Sequence, residues 1–228
     1  MNRFLASFSL LAVFGIGVLH DFQKETVQEE MDPNEFTMEE AIALLGGENV
    51  AHKMEAVDYT KAELGRQLIF TGQTKRGVFK SKVISPYFKC IDCHNVKNEF
   101  MDARNNKPEN RLEHAINQNL LFLPASTLWG IYNRKAFYNG DYTKKYGEVI
   151  SEAKASLPEA IQVCAEYCSA GRKLKNWELD AIMHYFKSKE LKLKDLPIDG
   201  NTKKNILNVG KLTEKEKTKF LQILETCI

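Results

Sequence analysis

The sequence predicts a mostly α fold, and three observations predict it. Thr-x-x-Glu capping boxes stand at Thr37/Glu40, Thr60/Glu63 and Thr213/Glu216, each opening a run with apolar residues at helical spacing. Leu179, Ile182, Met183 and Phe186 fall at i, i+3, i+4 and i+7, one face of a helix. With 228 residues and 43% hydrophobic content, the chain holds one domain of ordinary size plus extensions and can bury a core.

Arg3 precedes a charge-free apolar run from Phe4 to Leu19, the order found in a secretory signal. Sixteen residues are short for a membrane span, and no small-x-small cleavage site stands out around Val18-Leu19-His20. Residues 1–20 therefore read as a signal peptide or as an N-terminal anchor that tethers the protein to a membrane through 4–19. Either places the rest in the periplasm or another extracytoplasmic space. Residues 21–58 are polar and acidic and read as a solvated spacer, interrupted by one short helix from the Thr37 box to a stop at Gly46-Gly47. Residues 1–60 carry 11 acidic and 3 basic side chains, which leaves +10 on the rest of a chain whose net charge is +2. A basic body suggests a partner with an acidic docking face.

The Thr60 box opens a helix through Leu64, Gly65, Leu68, Ile69 and Phe70 that ends near Gly72. Thr71 to Lys89, punctuated by Gly72, Gly77 and Pro86, reads as a loop or short hairpin. It leads into Cys90-Ile91-Asp92-Cys93-His94, the spacing of a c-type haem attachment site. Two thiols three positions apart share one helical turn and can reach both vinyl groups of one porphyrin, and the next residue falls beneath the iron. On this reading Cys90 and Cys93 anchor one covalent haem c. His94 ligates the iron with one ring nitrogen, while the other keeps its proton for backbone or water. Two blander readings compete. A redox dithiol expects a βαβ surround that the loop-like flanks lack. A zinc-binding structural protein would join Cys90, Cys93, Cys164 and Cys168 in a four-sulfur site, with three residues rather than two inside the second pair and no role for His94.

Residues 95–159 hold one predicted helix, Arg111 to Leu121, broken at Leu123-Pro124-Ala125. Trp129, Tyr132, Phe137, Tyr138, Tyr142 and Tyr146 follow, interleaved with lysines. Such a pattern can bind single-stranded nucleic acid. In an exported chain these rings read instead as the walls of an apolar cofactor pocket, and no nucleic-acid partner is expected. Asn176 is the predicted cap of the helix bearing the Leu179 stripe, with Glu178 in its first turn. Residues 191–228 form a lysine-rich linker and a last helix behind the Thr213 box, with Phe220, Leu221 and Leu224 on its apolar side. No internal repeat, phosphate-binding loop, dinucleotide fingerprint or serine-hydrolase elbow is present.

Three stretches resemble one family. Gly65-Arg66-Gln67-Leu68-Ile69-Phe70 is similar to the first helix of cytochromes c, Glu178 to Phe186 to their C-terminal helix, and Leu212-Thr213-Glu214-Lys215-Glu216-Lys217 to a segment that ends many of their domains. The resemblance covers about residues 60–190 and departs from the family by placing some 19 residues, 71–89, between the first helix and the first cysteine. It implies a cytochrome c-like helical domain at 59–190 around one covalent haem. It also implies that the first helix crosses the last, with Tyr185 or Phe186 near Gly65.

The usual carrier in that family binds iron on its distal side through a Met from the loop before the last helix. Here no Met lies between Met101 and Met183; Met101 is too close to His94, and Met183 sits on the core stripe. The loop holds Cys164 and Cys168 instead. Their placement resembles that in the A subunit of thiosulfate-oxidising Sox cytochromes, where a modified cysteine ligates haem. The distal candidates are thus Cys168, Cys164 and Met183, with a Cys164–Cys168 disulfide and a ligand such as His114 as alternatives. Cys227 is the odd cysteine and reads as exposed. The functional expectation is an exported monohaem cytochrome that carries single electrons between redox partners. The alternatives are a haem enzyme subunit oxidising an inorganic sulfur compound and the zinc protein.

Overall fold

The computed structural model describes residues 32, 34–94, 96–97, 125–138 and 142–227. The chain divides after Met31, and all of these residues belong to the unit that starts at Asp32. The unit is mostly helical: α1 Met38–Leu44, α2 Tyr59–Thr71, α3 Cys90–Cys93, α4 Tyr142–Tyr146, α5 Leu157–Val163, α6 Asn176–Lys187, α7 Gly200–Leu207 and α8 Glu214–Glu225. The only extended pairing of more than one residue among the described residues is a hairpin of β1 Lys75–Arg76 and β2 Phe79–Lys80. Among the described residues no helix is long and apolar enough to cross a membrane. The run 4–19, Met101, His114 and the predicted helix over 111–121 lie outside the described residues.

Two of the three capping boxes form as predicted. Thr37 and Glu40 exchange backbone-to-side-chain bonds of 2.7 and 3.2 Å, and Thr213 and Glu216 do so at 2.8 and 3.3 Å. The third does not. Asp58 caps α2 by accepting from the Thr60 and Lys61 amides at 2.9 and 3.1 Å, and Glu63 is occupied by the Arg66 guanidinium. A carboxylate two residues upstream competes with the Thr60 hydroxyl and wins, because it is a stronger acceptor at the positive end of the helix. Asn176 is likewise inside α6, whose N-cap is Lys175.

The main core forms where α2 meets α6. Leu68 and Ile69 of α2 are fully buried against Ala181, Ile182, Met183, Tyr185 and Phe186 of α6, with Tyr132 and Leu157 beneath. Gly65 meets the backbone of Ala181 and Ile182 rather than Tyr185 or Phe186, and Tyr185 instead meets the Phe70 ring edge-on at 6.3 Å. Met183 is part of this core.

A second core joins the two segments that composition sets apart as spacer and tail. Phe36, Met38, Ala41, Ile42 and Leu45 pack against Leu191, Leu193, Leu196, Ile206, Phe220 and Leu224. A backbone bridge pairs Thr37 with Lys192, and the charges pair as well: Glu35 with Lys192 and Lys194, and Glu39 with Lys187 at 2.9 Å. Cys227 belongs to this core and is 5% exposed, so it is not the exposed thiol that the sequence suggests. Its thiol donates to the Ile223 carbonyl at 3.3 Å.

Glu178, fully buried at the start of α6, accepts from both Arg172 amino groups at 2.6 and 2.7 Å and from the Lys175 amide at 2.8 Å. Burial pushes its carboxyl up. The Arg172 guanidinium and the Lys175 amide outweigh that, holding it below its ordinary value of 4.5. A depressed carboxyl stabilises the fold above its unfolded value, so this stability is complete above about pH 4.5 and is lost as the pH falls through the lowered folded value. Glu178→Gln is expected to cost on the order of 3 kcal/mol in urea unfolding at neutral pH, by leaving a charged guanidinium without its carboxylate. The difference from the unmutated chain shrinks in acid; a difference independent of pH would show that the charge does not matter.

Candidate haem attachment site

Cys90 and Cys93 form the single turn α3, entered from extended Lys89. The Asp92 carboxylate accepts from the Lys89 amide at 2.8 Å, and the His94 amide closes the turn on the Cys90 carbonyl at 2.9 Å. Both thiols are free and partly buried. The segment from 125 lies along this turn: the Ala125 amide donates to the Cys93 carbonyl at 2.9 Å, and His94 Nδ1 hydrogen-bonds the Ser126 carbonyl at 2.6 Å. A carbonyl only accepts, so Nδ1 carries the proton and the imidazole lone pair is on Nε2, the tautomer of a metal-ligating histidine. Arg134 braces the loop by donating to Ser126 Oγ and to the carbonyls of Thr127 and Trp129 at 3.0–3.3 Å. Beside it a cleft of about 460 Å³ is lined in part by Val96, Leu128, Trp129, Tyr185 and Phe186.

The second cysteine pair is brought to the same place by the chain that follows it. Helix α5, capped by Ser156, runs into a π turn at Cys164–Cys168, closed by the Ser169 amide on the Cys164 carbonyl at 2.9 Å. Single π turns are frequent at functional sites because they displace side chains from the regular helical register. Gly171 then passes so close to the segment before the attachment turn that a Cβ would lie 2.5 Å from the Ile84 carbonyl oxygen. The Arg172 amide donates to Ile84 at 2.9 Å, and Ser85 Oγ donates to the Ser169 carbonyl at 2.6 Å. Residues 84–90 and 164–172 are thereby tied together.

The electrostatics reflect that proximity. Burial pushes the Cys90 thiol up to about 11 and raises Cys93, with Asp92 and Cys168 adding to the latter. Cys164 and Cys168 share a hydrogen bond that raises Cys164 and lowers Cys168. Tyr146, Tyr138 and the positive charge of Lys145 also favour a thiolate at Cys168, against the effect of burial. Tyr138 Oη lies 3.7 Å from Cys168 Sγ and 3.0 Å from the Ala160 carbonyl. The rings of Tyr138, Tyr142 and Tyr146 follow one another at 5.4 and 6.2 Å. Tyr138, and Ala170 two residues after Cys168, hold φ of 51° and 50°, a left-handed backbone that costs a side-chain-bearing residue about 1 kcal/mol or more.

Cys164 and Cys168 share a hydrogen bond, and Cys90 and Cys93 lie near enough for charge on one pair to act on the other. Among the described residues no group of three or more His, Cys, Asp or Glu side chains is set to hold a metal ion. Two thiols in one turn beside an imidazole in the ligating tautomer are a set that would fit haem. Sequence reasoning misses Ser126, Arg134 and the π turn. Their signals are backbone geometry and a cation brace, which carry no local motif. The chain matches no known family model, no curated protein and no solved structure.

Proposed function

We propose that the protein is an exported monohaem c-type cytochrome that carries single electrons between redox partners. The observation that supports it most is the intact Cys90–His94 turn with Nδ1 of His94 on the Ser126 carbonyl. Cys90 and Cys93 would hold haem c through thioethers, and His94 would ligate its iron. Bound there, haem supplies an iron that alternates between ferric and ferrous states. The protein's part is orientation: Arg134 fixes the loop that orients the imidazole, and the Gly171 contact ties the segment of the second cysteine pair to Ile84, ahead of the attachment turn. The crossing of α2 and α6 agrees with the resemblance to cytochromes c. The purified protein should give a pyridine haemochrome spectrum of the c type at one haem per chain, and its absence overturns the proposal.

The cysteine pair in the π turn at Cys164–Cys168 favours a second reading, a haem enzyme subunit that oxidises an inorganic sulfur compound; turnover with thiosulfate separates it from a carrier. Both readings take Cys168 as the distal ligand. A thiolate stabilises ferric iron, so the potential should lie well below that of a His/Met haem, within the roughly 0.8 V that axial ligands span. Cys168→Ala is expected to raise the potential and change the ferric spin state, whereas Cys164→Ala, which removes only a hydrogen bond to that sulfur, should keep the spin state and move the potential far less. If the double variant keeps the original spectrum, neither sulfur is a ligand and Met183→Leu becomes the next variant to measure.

A further inference from the structure

The hairpin ahead of the attachment turn carries a surface that haem binding does not use. Between Thr71 and Lys89 the chain has five cations, Lys75, Arg76, Lys80, Lys82 and Lys89, and no acidic residue. The four lysines are exposed, and none forms an ion pair among the described residues. The pairings Lys75↔Lys80 and Arg76↔Phe79 make Gly77-Val78 the tip. Gly77 takes the left-handed φ of 62° that the tight turn needs, with open space where a Cβ would stand, and Val78 is 92% exposed. Tyr87, also exposed at 71%, and Val83 at 46% follow in the same segment. The base is held firmly: Arg172 donates to the Lys82 and Val83 carbonyls at 2.8 and 3.1 Å, and exposed Lys173 and Lys175 follow it. The hairpin is therefore a braced projection with an exposed apolar apex and, among the described side chains, lysines without an ion-pair partner behind it.

We propose that this hairpin docks the protein on an anionic phospholipid bilayer, with the Val78 tip in the headgroup layer and the lysines against lipid phosphates. An apolar apex offered to a protein needs a groove cut to receive it. A fluid bilayer needs none, and each cation finds a phosphate independently, so an acid-free projection with scattered cations suits lipid better than an acidic protein face.

The experiment uses the full chain, co-sedimented with phosphatidylcholine vesicles and with vesicles doped with phosphatidylglycerol. The protein should favour the anionic vesicles, and added salt should erase that preference. Each lysine near an anionic surface contributes roughly fivefold to partitioning, so Lys75→Gln/Lys80→Gln/Lys82→Gln should weaken anionic binding on the order of 100-fold. Removing three exposed lysines elsewhere, at Lys211, Lys215 and Lys219, should have a far smaller effect. Val78→Ser, which alters no charge, should weaken binding several-fold. All these positions are exposed, so far-UV circular dichroism should be unchanged. Equal binding to both vesicle types, which the run 4–19 alone would give, overturns the proposal. So does equal loss from both lysine triples, and so does binding indifferent to Val78→Ser, which would mark a purely electrostatic surface suited to an acidic protein.

Discussion

Replacing Cys90 and Cys93 together by serine is expected to abolish haem staining on a denaturing gel. The effect is all-or-none because of the bond type. A thioether survives denaturation, whereas haem held only by coordination and packing is released when the chain unfolds, and serine offers no sulfur to alkylate. The two thiols share one turn, so each single serine variant should retain staining through its remaining thioether, at reduced yield. On the proposed reading His94→Ala should keep the stain but change the spectrum, since it would remove an axial ligand and leave both anchors. Staining that persists in the double serine variant would falsify covalent attachment at this turn.

Gly65→Ala is expected to produce the largest loss of stability available from a single methyl group. A Cβ at this position would lie 2.1 Å from the Ala181 carbonyl oxygen, 2.5 Å from its carbon and 2.9 Å from Ile182 Cα. These are backbone atoms of a helix, so no side-chain rotation relieves the contact and α2 must move off α6. That movement opens the packing around Leu68, Ile69, Ala181 and Ile182, all of them buried. Overpacking a core usually costs 1–3 kcal/mol, and a clash against fixed backbone lies at or beyond the top of that range, about 3 kcal/mol or more. In a domain of this size that corresponds to a fall of roughly 10 °C in thermal midpoint. Ile182→Val, which removes one methyl from the same core, should cost only about 1 kcal/mol. A Gly65→Ala midpoint equal to that of the unmutated chain would show that the crossing does not limit stability.

What the sequence made legible follows from how locally each feature is encoded. The attachment turn is five consecutive residues, and the α2 and α6 helices are apolar residues at fixed spacing, so both can be seen without the fold. Cap positions slipped where two acceptors lie within two residues of each other, as with Asp58 and Thr60. The second core was hidden by its own charges. Glu35 and Glu39 on one side and Lys187, Lys192 and Lys194 on the other look like two solvated segments until they are set face to face. The Cys164–Cys168 pair is visible as two letters, but its π turn carries no motif, and the Gly171 contact that ties the following segment to Ile84 joins residues 87 positions apart. Short-range patterns contain nothing about them.

The distance along the chain between the parts of this site also sets an order in time. On the proposed reading the chain is made and exported N-terminus first, and it then presents Cys90 and Cys93 well before Ser126 arrives, and earlier still than Gly171, Arg172 and α6. Until then the turn lacks its covering contacts, α2 has nothing to cross, and Phe36 to Leu45 wait for partners beyond residue 190. On the proposed reading, the thiols meet their haem while the last quarter of the chain is still being delivered, and the closing of α6 over α2 seals a site that is already chemically complete.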